Sequence, residues 1–196
     1  MLNHITEFIE SLKEGEIELY NEAGLQHELG YFLRQKNIKL KFEYNINLLN
    51  IDVPTPLKKE IDLFIEDKNK KILIELKFPN RGAFPRRMTQ SIIDIFFIQQ
   101  LIDSGFEKGY FIFFTGLNNF SKGKSEENIY SYFRKAKLIN EFSSLDIPNF
   151  MLKKPDGKNF FSHLEKKERK FKKDLKISFL ELKNNGKEYL YFILEI

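Results

Sequence analysis

Cysteine is absent from the 196 residues, which excludes disulfides, thiolate zinc sites and cysteine nucleophiles. Glycine and proline are sparse, 10 and 6 residues, so collagen-like and low-complexity architectures are excluded. The three histidines, His4, His27 and His163, are scattered and share no metal-ligand spacing. No apolar run is long: the most apolar stretch, Ile92 to Ile98, is interrupted by Asp94, whereas a spanning helix needs about 20 residues. The first residues, MLNHITEFIESLKEGE, carry acids where a signal peptide needs bases. These absences lead to the expectation of a soluble, cytoplasmic protein with no membrane partner. An enzyme built from this chain must work with carboxylates, lysines, hydroxyls or histidine.

What is present suffices for a core. Hydrophobic residues make up 42% and charged residues 31%, and the length fits a single domain over 1–196. The net charge of +4 is unevenly spread: residues 151–176 hold ten Lys/Arg against Asp156, Glu165, Glu168 and Asp174, a net of +6, which leaves −2 for the rest. A mildly acidic body with a basic C-terminal segment suits a protein that meets a polyanion with one surface.

Apolar spacing predicts a first helix on Ile5, Phe8, Ile9 and Leu12, and a second from about Asn21 to Lys36 on Leu25, Leu29, Phe32 and Leu33. Lys39 to Asn47 alternates like a strand (Leu40, Phe42, Tyr44, Ile46), and Pro54 and Pro56 mark a loop. Two strand-like runs follow, Lys59 to Glu66 and Lys71 to Phe78, joined by Asp67-Lys68-Asn69-Lys70. After a loop from Pro79 to Arg87 come a buried helix, Met88 to Ser104, and an interior strand, Gly109 to Thr115. Glu126 to Phe142 reads as helical, the basic segment as a further C-terminal helix, and Leu175 to Ile196 as a hairpin turning at Asn184-Asn185-Gly186-Lys187. The fold class is therefore α/β (an α+β mixed sheet) in the order helix, three-strand meander, helix, strand. The core lies at about 20–115 and the C-terminal elaboration at about 145–196.

The segment 60–77, EIDLFIEDKNKKILIELK, carries the chemistry. With its turn centred between Lys68 and Asn69, antiparallel partners have numbers summing to 137, which sets Asp62 opposite Glu75 and Glu60 opposite Lys77. Opposed Cβ atoms are about 5 Å apart. Glu75 and Lys77 share one face of the strand, while Ile72, Ile74, Leu76 and Phe78 form the other, whose burial pins the register. Two facing carboxylates repel by about 4 kcal/mol at 4 Å and an effective dielectric near 20, so a cation or a catalytic role is needed to compensate. Oxygen ligands without His or Cys point to Mg²⁺, with Mn²⁺ as substitute. Glu28 lies about 40° from Phe32 on the second helix and about 60° from Leu25, at the margin of the buried stripe, with Gln26 on the opposite margin. A second acid-x-base triplet, Glu181-Leu182-Lys183, pairs by its own turn with numbers summing to 371; Glu181 then faces Leu190, and the triplet is rejected as a metal site.

Glu28 on a helix, Asp62 and Glu75-x-Lys77 on paired strands, and a following helix resemble the PD-(D/E)XK nuclease superfamily, the restriction-endonuclease-like fold. The resemblance covers roughly residues 20–115. The stretches NEAGLQHELGYFLR, EIDLFI, LIELKFP and GYFIFFT look like bacterial type II restriction-type proteins. Two departures are Ile61 where a proline is common, and Asp94 four residues after Gln90 where a RecB-like branch has tyrosine. The resemblance implies a metal held by Asp62 and Glu75 with the Leu76 carbonyl, a water oriented by Lys77, and an acidic cluster completed by Glu28. It implies an Mg²⁺-dependent endonuclease cutting double-stranded DNA as a homodimer and leaving 5′-phosphate ends, with a cognate methyltransferase left open. The alternatives are a catalytically silent nucleic-acid-binding protein of the same fold and a repair or junction-resolving nuclease. Arg81, Arg86 and Arg87 are expected beside the scissile phosphate, the basic segment Lys166, Lys167, Arg169, Lys170, Lys172 and Lys173 along the flanking duplex, and Asn118, Asn119, Lys122 and Lys124 near base edges.

Overall fold

In the computed structural model, residues 1–13, 15, 17–49, 51–53, 56–67, 70–125, 127–142 and 169–196 are described, with the backbone alone at 67, 140–142 and 169–173. The amphipathic stripe Ile5, Phe8, Ile9 and Leu12 forms α1 (Leu2–Lys13). Asn21 starts α2 (Glu22–Gln35), its side-chain oxygen accepting the Gly24 N–H at 2.7 Å, the usual role of an N-cap asparagine. The meander follows as β1 (Leu40–Asn45), β2 (Glu60–Asp67) and β3 (Lys70–Lys77). The helix α3 (Phe84–Asp103) crosses over to β4 (Lys108–Thr115).

Beyond these lie α4 (Ile129–Arg134), β5 (Ile139–Phe142), β6 (Arg169–Leu175), β7 (Leu180–Asn184) and β8 (Lys187–Glu195). Among the described residues, six strands form one mixed sheet in the order β1-β2-β3-β4-β8-β7, with β3 and β4 parallel and every other pair antiparallel. A parallel neighbour needs a crossover, and α3 supplies it. The strands β5 and β6 form a separate pair.

Both sheet faces are covered. Ile74 and Leu76 of β3, and Phe78 just beyond it, pack with α1 and α2, while Leu73 of the same strand packs with α3 and with Phe111 and Phe113 of β4. Glu75 shares the α3 face with Leu73, so the face expected to carry the acids is roofed by a helix rather than open to water. The C-terminal hairpin turns at Asn185-Gly186, keeps the register sum of 371, and sets Glu181 opposite Leu190, with no carboxylate across from it.

Four expectations need correction. The loop Pro79 to Arg87 is shorter than expected, because α3 begins at Phe84 with Pro85 in its first turn, where a fixed φ and a missing N–H cost nothing. Arg86 and Arg87 are thus helical. The helix expected over Glu126 to Phe142 stops at Arg134; Ala136 adopts φ 48, which a right-handed helix cannot continue through, and the chain resumes as β5. The C-terminal helix is not found in its described part, since Arg169–Leu175 is the strand β6; Lys166 and Lys167 lie outside the described residues. The hairpin's first strand begins at Leu180 rather than at Leu175.

Helix α3 lies close on β4 at Gly109, where an added Cβ would overlap the γ-methyl of Ile98 and touch Leu73. A β-branched side chain on a packed helix has little freedom to retreat. Gly109→Ala is expected to lower unfolding stability by ~1–3 kcal/mol through overpacking, read as a lower denaturant midpoint at unchanged slope. An unchanged midpoint would show that α3 is free to shift.

Candidate active site

The hairpin register agrees with the sequence: Leu63 pairs with Ile74 and Phe64 with Leu73, all with numbers summing to 137. The ladder then stops at Asp62. On its other side the β1–β2 pairing also skips one rung, between Phe42↔Leu63 and Tyr44↔Ile61, where Glu43 adopts φ 46. Both strands exchange faces there: Leu40 and Phe42 pack towards α1 and α2, Tyr44 and Ile61 towards α3. The even alternation expected from Leu40 to Ile46 is therefore broken at Glu43.

This dislocation frees the Asp62 backbone, and side chains satisfy it. Gln26 Nε2 of α2 donates to the Asp62 carbonyl at 2.8 Å and to Glu43 Oε1 at 2.7 Å, while the Asp62 N–H points at Glu75 Oε1, 3.4 Å away. Buried peptide groups need such partners. The Asp62 carboxylate in turn accepts the Leu76 N–H at 2.7 Å through Oδ2. Asp62 is held by its neighbours on three sides.

Six charged side chains meet here. Lys58, in the connector before β2, donates to Glu75 Oε2, and its Nζ lies 3.5 Å from Asp94 Oδ1 and 3.7 Å from Asp62 Oδ1. Lys77 Nζ lies 3.1 Å from Asp94 Oδ2 and 3.5 Å from Glu22 Oε1. Glu22, in the first turn of α2, also accepts the Phe78 N–H at 2.9 Å, just past the end of β3. Side-chain exposure rises from 0% at Glu75 through 15% at Asp62 and 26% at Lys58 to 44% at Glu22, so the cluster has a floor and a mouth. A separate cleft of about 580 Å³, lined by Met1, His4, Lys36, Ile65 and Ile72 among others, lies towards the turn end of the hairpin and shares no residue with the cluster.

Four carboxylates face two ammonium groups, leaving the cluster two positive charges short. Burial and that deficit act together on its carboxyls. Burial, and then the charge of Asp62, push the Glu75 carboxyl well above its ordinary range against the pull of Lys58. Burial pushes Asp62 up to about 6, against Lys58 and the Leu76 N–H. Burial alone would lower Lys58, but attraction to Glu75, Asp94 and Asp62 raises it. Lys77 is likewise raised, as Asp94 and Glu22 outweigh burial. The carboxylates hold both lysines charged, while Glu75 and Asp62 keep their protons to higher pH than ordinary carboxyls.

Of the expected site residues, Asp62, Glu75 and Lys77 come together. Glu28 does not: six residues beyond Glu22 on α2, it is turned about 120° away from it and lies about 9 Å further along the axis. It is half-buried and makes no ion pair or hydrogen bond among the described residues. Glu22 takes the place assigned to it. Glu60 is exposed and opposes Asn45, while Lys77 opposes Phe113. Arg81 is exposed before α3, and Arg86 and Arg87 are exposed in its first turn. Arg87 lies two turns, about 10 Å, from Asp94 on the same side of α3. Asn118, Asn119, Lys122 and Lys124 are exposed around the 3-10 turn Asn118–Phe120. Lys170, Lys172 and Lys173 lie on β6, and their side chains fall outside what is described. The sequence reading missed Lys58, Glu22 and Asp94. Only Asp94 leaves a trace there, as a charge inside an apolar run.

The donor set fits a hard divalent cation in kind: three carboxylates from β2, β3 and α3, with no nitrogen or sulfur donor. Asp94 Oδ2 is buried and makes no directed hydrogen bond, although Lys77 faces it. The Leu76 N–H and C=O point to the same edge of an extended strand, so its carbonyl is turned towards Asp62. Among the described residues, no three acidic or histidine side chains stand in a metal-ligating arrangement as placed; they stand instead around the Lys58 ammonium.

The raised Asp62 carboxyl has a measurable consequence. Its folded value of about 6 exceeds the ordinary 3.8, so the folded state binds more protons between the two. Its stabilising contribution is complete below about 4 and is lost as pH rises through about 6, a change of up to ~3 kcal/mol. In EDTA, the wild type is expected to lose melting temperature more steeply across that window than Asp62→Asn. Parallel profiles would overturn this account of the cluster. No family model, curated protein or solved structure matches the chain.

Proposed function

We propose that the chain is a metal-dependent endonuclease that hydrolyses phosphodiester bonds of duplex DNA, of restriction or defence type and acting as a homodimer. The observation that carries the reading is the charge deficit: four carboxylates and two lysines, two positive charges short, with Glu75 fully buried. That deficit matches one Mg²⁺ or Mn²⁺. Folding by itself supplies no reason to bury such a set.

In this reading Asp62, Glu75 and the Leu76 carbonyl hold the ion, and Asp94 completes the acidic set. The bound cation supplies Lewis-acid polarisation of a phosphate oxygen and a water of lowered pKa. Lys77, fixed between Asp94 and Glu22, orients the attacking water and offsets charge developing on the phosphate. Gln26 holds the Asp62 backbone so that its carboxylate stays aligned. Arg81, Arg86 and Arg87 meet phosphate oxygens near the mouth, and the basic strand β6 follows the flanking duplex.

A second reading is a DNA-binding protein of the same architecture that does not cut. One observation favours it: the Lys58 ammonium already engages the three carboxylates. Duplex binding without cleavage in either Mg²⁺ or Mn²⁺ would decide for it. Preference for four-way junctions over linear duplex would move the assignment to a repair enzyme.

Lys77→Ala and Glu75→Ala are each expected to cut Mg²⁺-dependent duplex cleavage by about 10²–10⁴-fold, assayed on linear and supercoiled DNA. Undiminished cleavage by both variants would reject the assignment. Replacing Lys170, Lys172 and Lys173 with Ala is expected to flatten the slope of log affinity against log salt by about 2–3. An unchanged slope would remove β6 from the interface.

A further inference from the structure

Lys58 is the one member of the cluster with no part in the proposed chemistry, yet it touches the three carboxylates proposed as ligands. We propose that Lys58 is an intramolecular counter-cation that keeps the carboxylates closed, and that a divalent cation enters by displacing its ammonium. The inference rests on the metal-dependent reading above and adds a regulatory element to that site.

Three observations carry it. The first is placement. Lys58 Nζ bonds Glu75 Oε2 and lies 3.5 and 3.7 Å from Asp94 Oδ1 and Asp62 Oδ1, so a single ammonium engages oxygens from β3, α3 and β2. Divalent ligand distances are about 2.0–2.1 Å for Mg²⁺. The carboxylates therefore have to close in for a metal to bind, and the lone pairs that they turn to the ammonium are those the metal requires. Ammonium and metal exclude each other from these oxygens.

The second is how the lysine is mounted. The backbone is fixed on both sides of it: the Leu57 N–H donates to Gln100 Oε1 at 3.1 Å, and the Lys59 carbonyl accepts the Ile46 N–H at 2.9 Å. The ammonium also lies 5.7 Å from the centre of the Phe97 ring. Only the four-carbon stem has room to change, and the side chain remains 26% exposed. Release swings the ammonium towards the mouth without disturbing the sheet. There it faces incoming phosphate, and the sum of charges over cluster, metal and rim stays near zero.

The third is that Lys77 does not duplicate it. Lys77 is paired with the other oxygen of Asp94 and with Glu22, so withdrawal of Lys58 leaves Lys77 in place. The two lysines are separable by substitution.

The test is Mn²⁺ binding to the purified full chain, followed by calorimetry and by the electron paramagnetic resonance of free Mn²⁺. Lys58→Met, which keeps the stem and removes the charge, is expected to bind at least ~10-fold more tightly than wild type, about 1.4 kcal/mol. Lys58→Arg is expected to stay weak, and Glu75→Gln to lose binding. In the unmutated protein, acylation of Lys58 by an acetyl succinimide ester, read by mass spectrometry, is expected to speed up several-fold when Mn²⁺ is added. Equal or weaker Mn²⁺ binding by Lys58→Met, or acylation of Lys58 unchanged by Mn²⁺, overturns the counter-cation role. If wild type still binds and Glu75→Gln does not, the metal site itself survives that failure. Absence of Mn²⁺ binding in every variant overturns both.

Discussion

A carboxylate sealed between a sheet and a helix has to be met by positive charge, and Glu75 sets that requirement for its surroundings. It is fully buried on β3 beneath α3, where an unpaired anion costs several kcal/mol. Lys58 answers it directly. The same ammonium then serves Asp62 and shares Asp94 with Lys77. The Lys58–Glu75 contact thus ties the connector before β2, the central strand β3 and, through Asp94, the crossover helix. Remove it, and Glu75 has to take up a proton or stay uncompensated beneath the helix.

The dislocation at Glu43 and Asp62 belongs to the same economy of constraint. A regular ladder would occupy the Asp62 N–H and carbonyl with one neighbouring strand. Skipping one rung leaves its carbonyl to Gln26 and its N–H to Glu75, so α2 gains a grip on the strand at the residue that has to be aimed. Glu43 carries the strain, at φ 46, a conformation that costs a non-glycine residue ~1 kcal/mol or more. Such local irregularity is found where the surrounding contacts overdetermine the backbone. Here Gln26 bonds both dislocated residues at once.

Much of this frame is legible in the residues, and the reasons differ. The hairpin register follows from turn chemistry plus one apolar face, both local, which is why the convergence of Asp62 and Glu75 is visible in the sequence although the ladder ends one rung before them. Asp94 shows itself as a charge in an apolar run, but its partner lysines do not, since their meeting depends on how α3 lies over the sheet. Glu22 and Lys58 carry no local signal: one sits beside a helix cap and the other in a connector. Glu28 misleads because a place at the margin of the buried stripe does not say where the helix meets the sheet: α2 meets the end of β3 with its first turn, and Glu28 is turned away from Glu22 as well as further along. The strand at Arg169–Leu175 evades a helical reading because lysine is an acceptable helix former wherever tertiary pairing does not decide.

The two lysines divide one electrostatic problem by depth and by mounting. Lys77 belongs to a central strand, paired on one side with β4 and held by Asp94 and Glu22; its position is fixed by the sheet. Lys58 hangs from a connector by a flexible stem, with its backbone pinned and its charge free to move. A fixed cation suits a group that has to meet a transition state at a set distance, since preorganisation removes reorganisation cost. A movable one suits a group that neutralises the site when no substrate is there and withdraws when a stronger cation arrives. Gathering four carboxylates at the end of one central strand is tolerable only because both kinds are present.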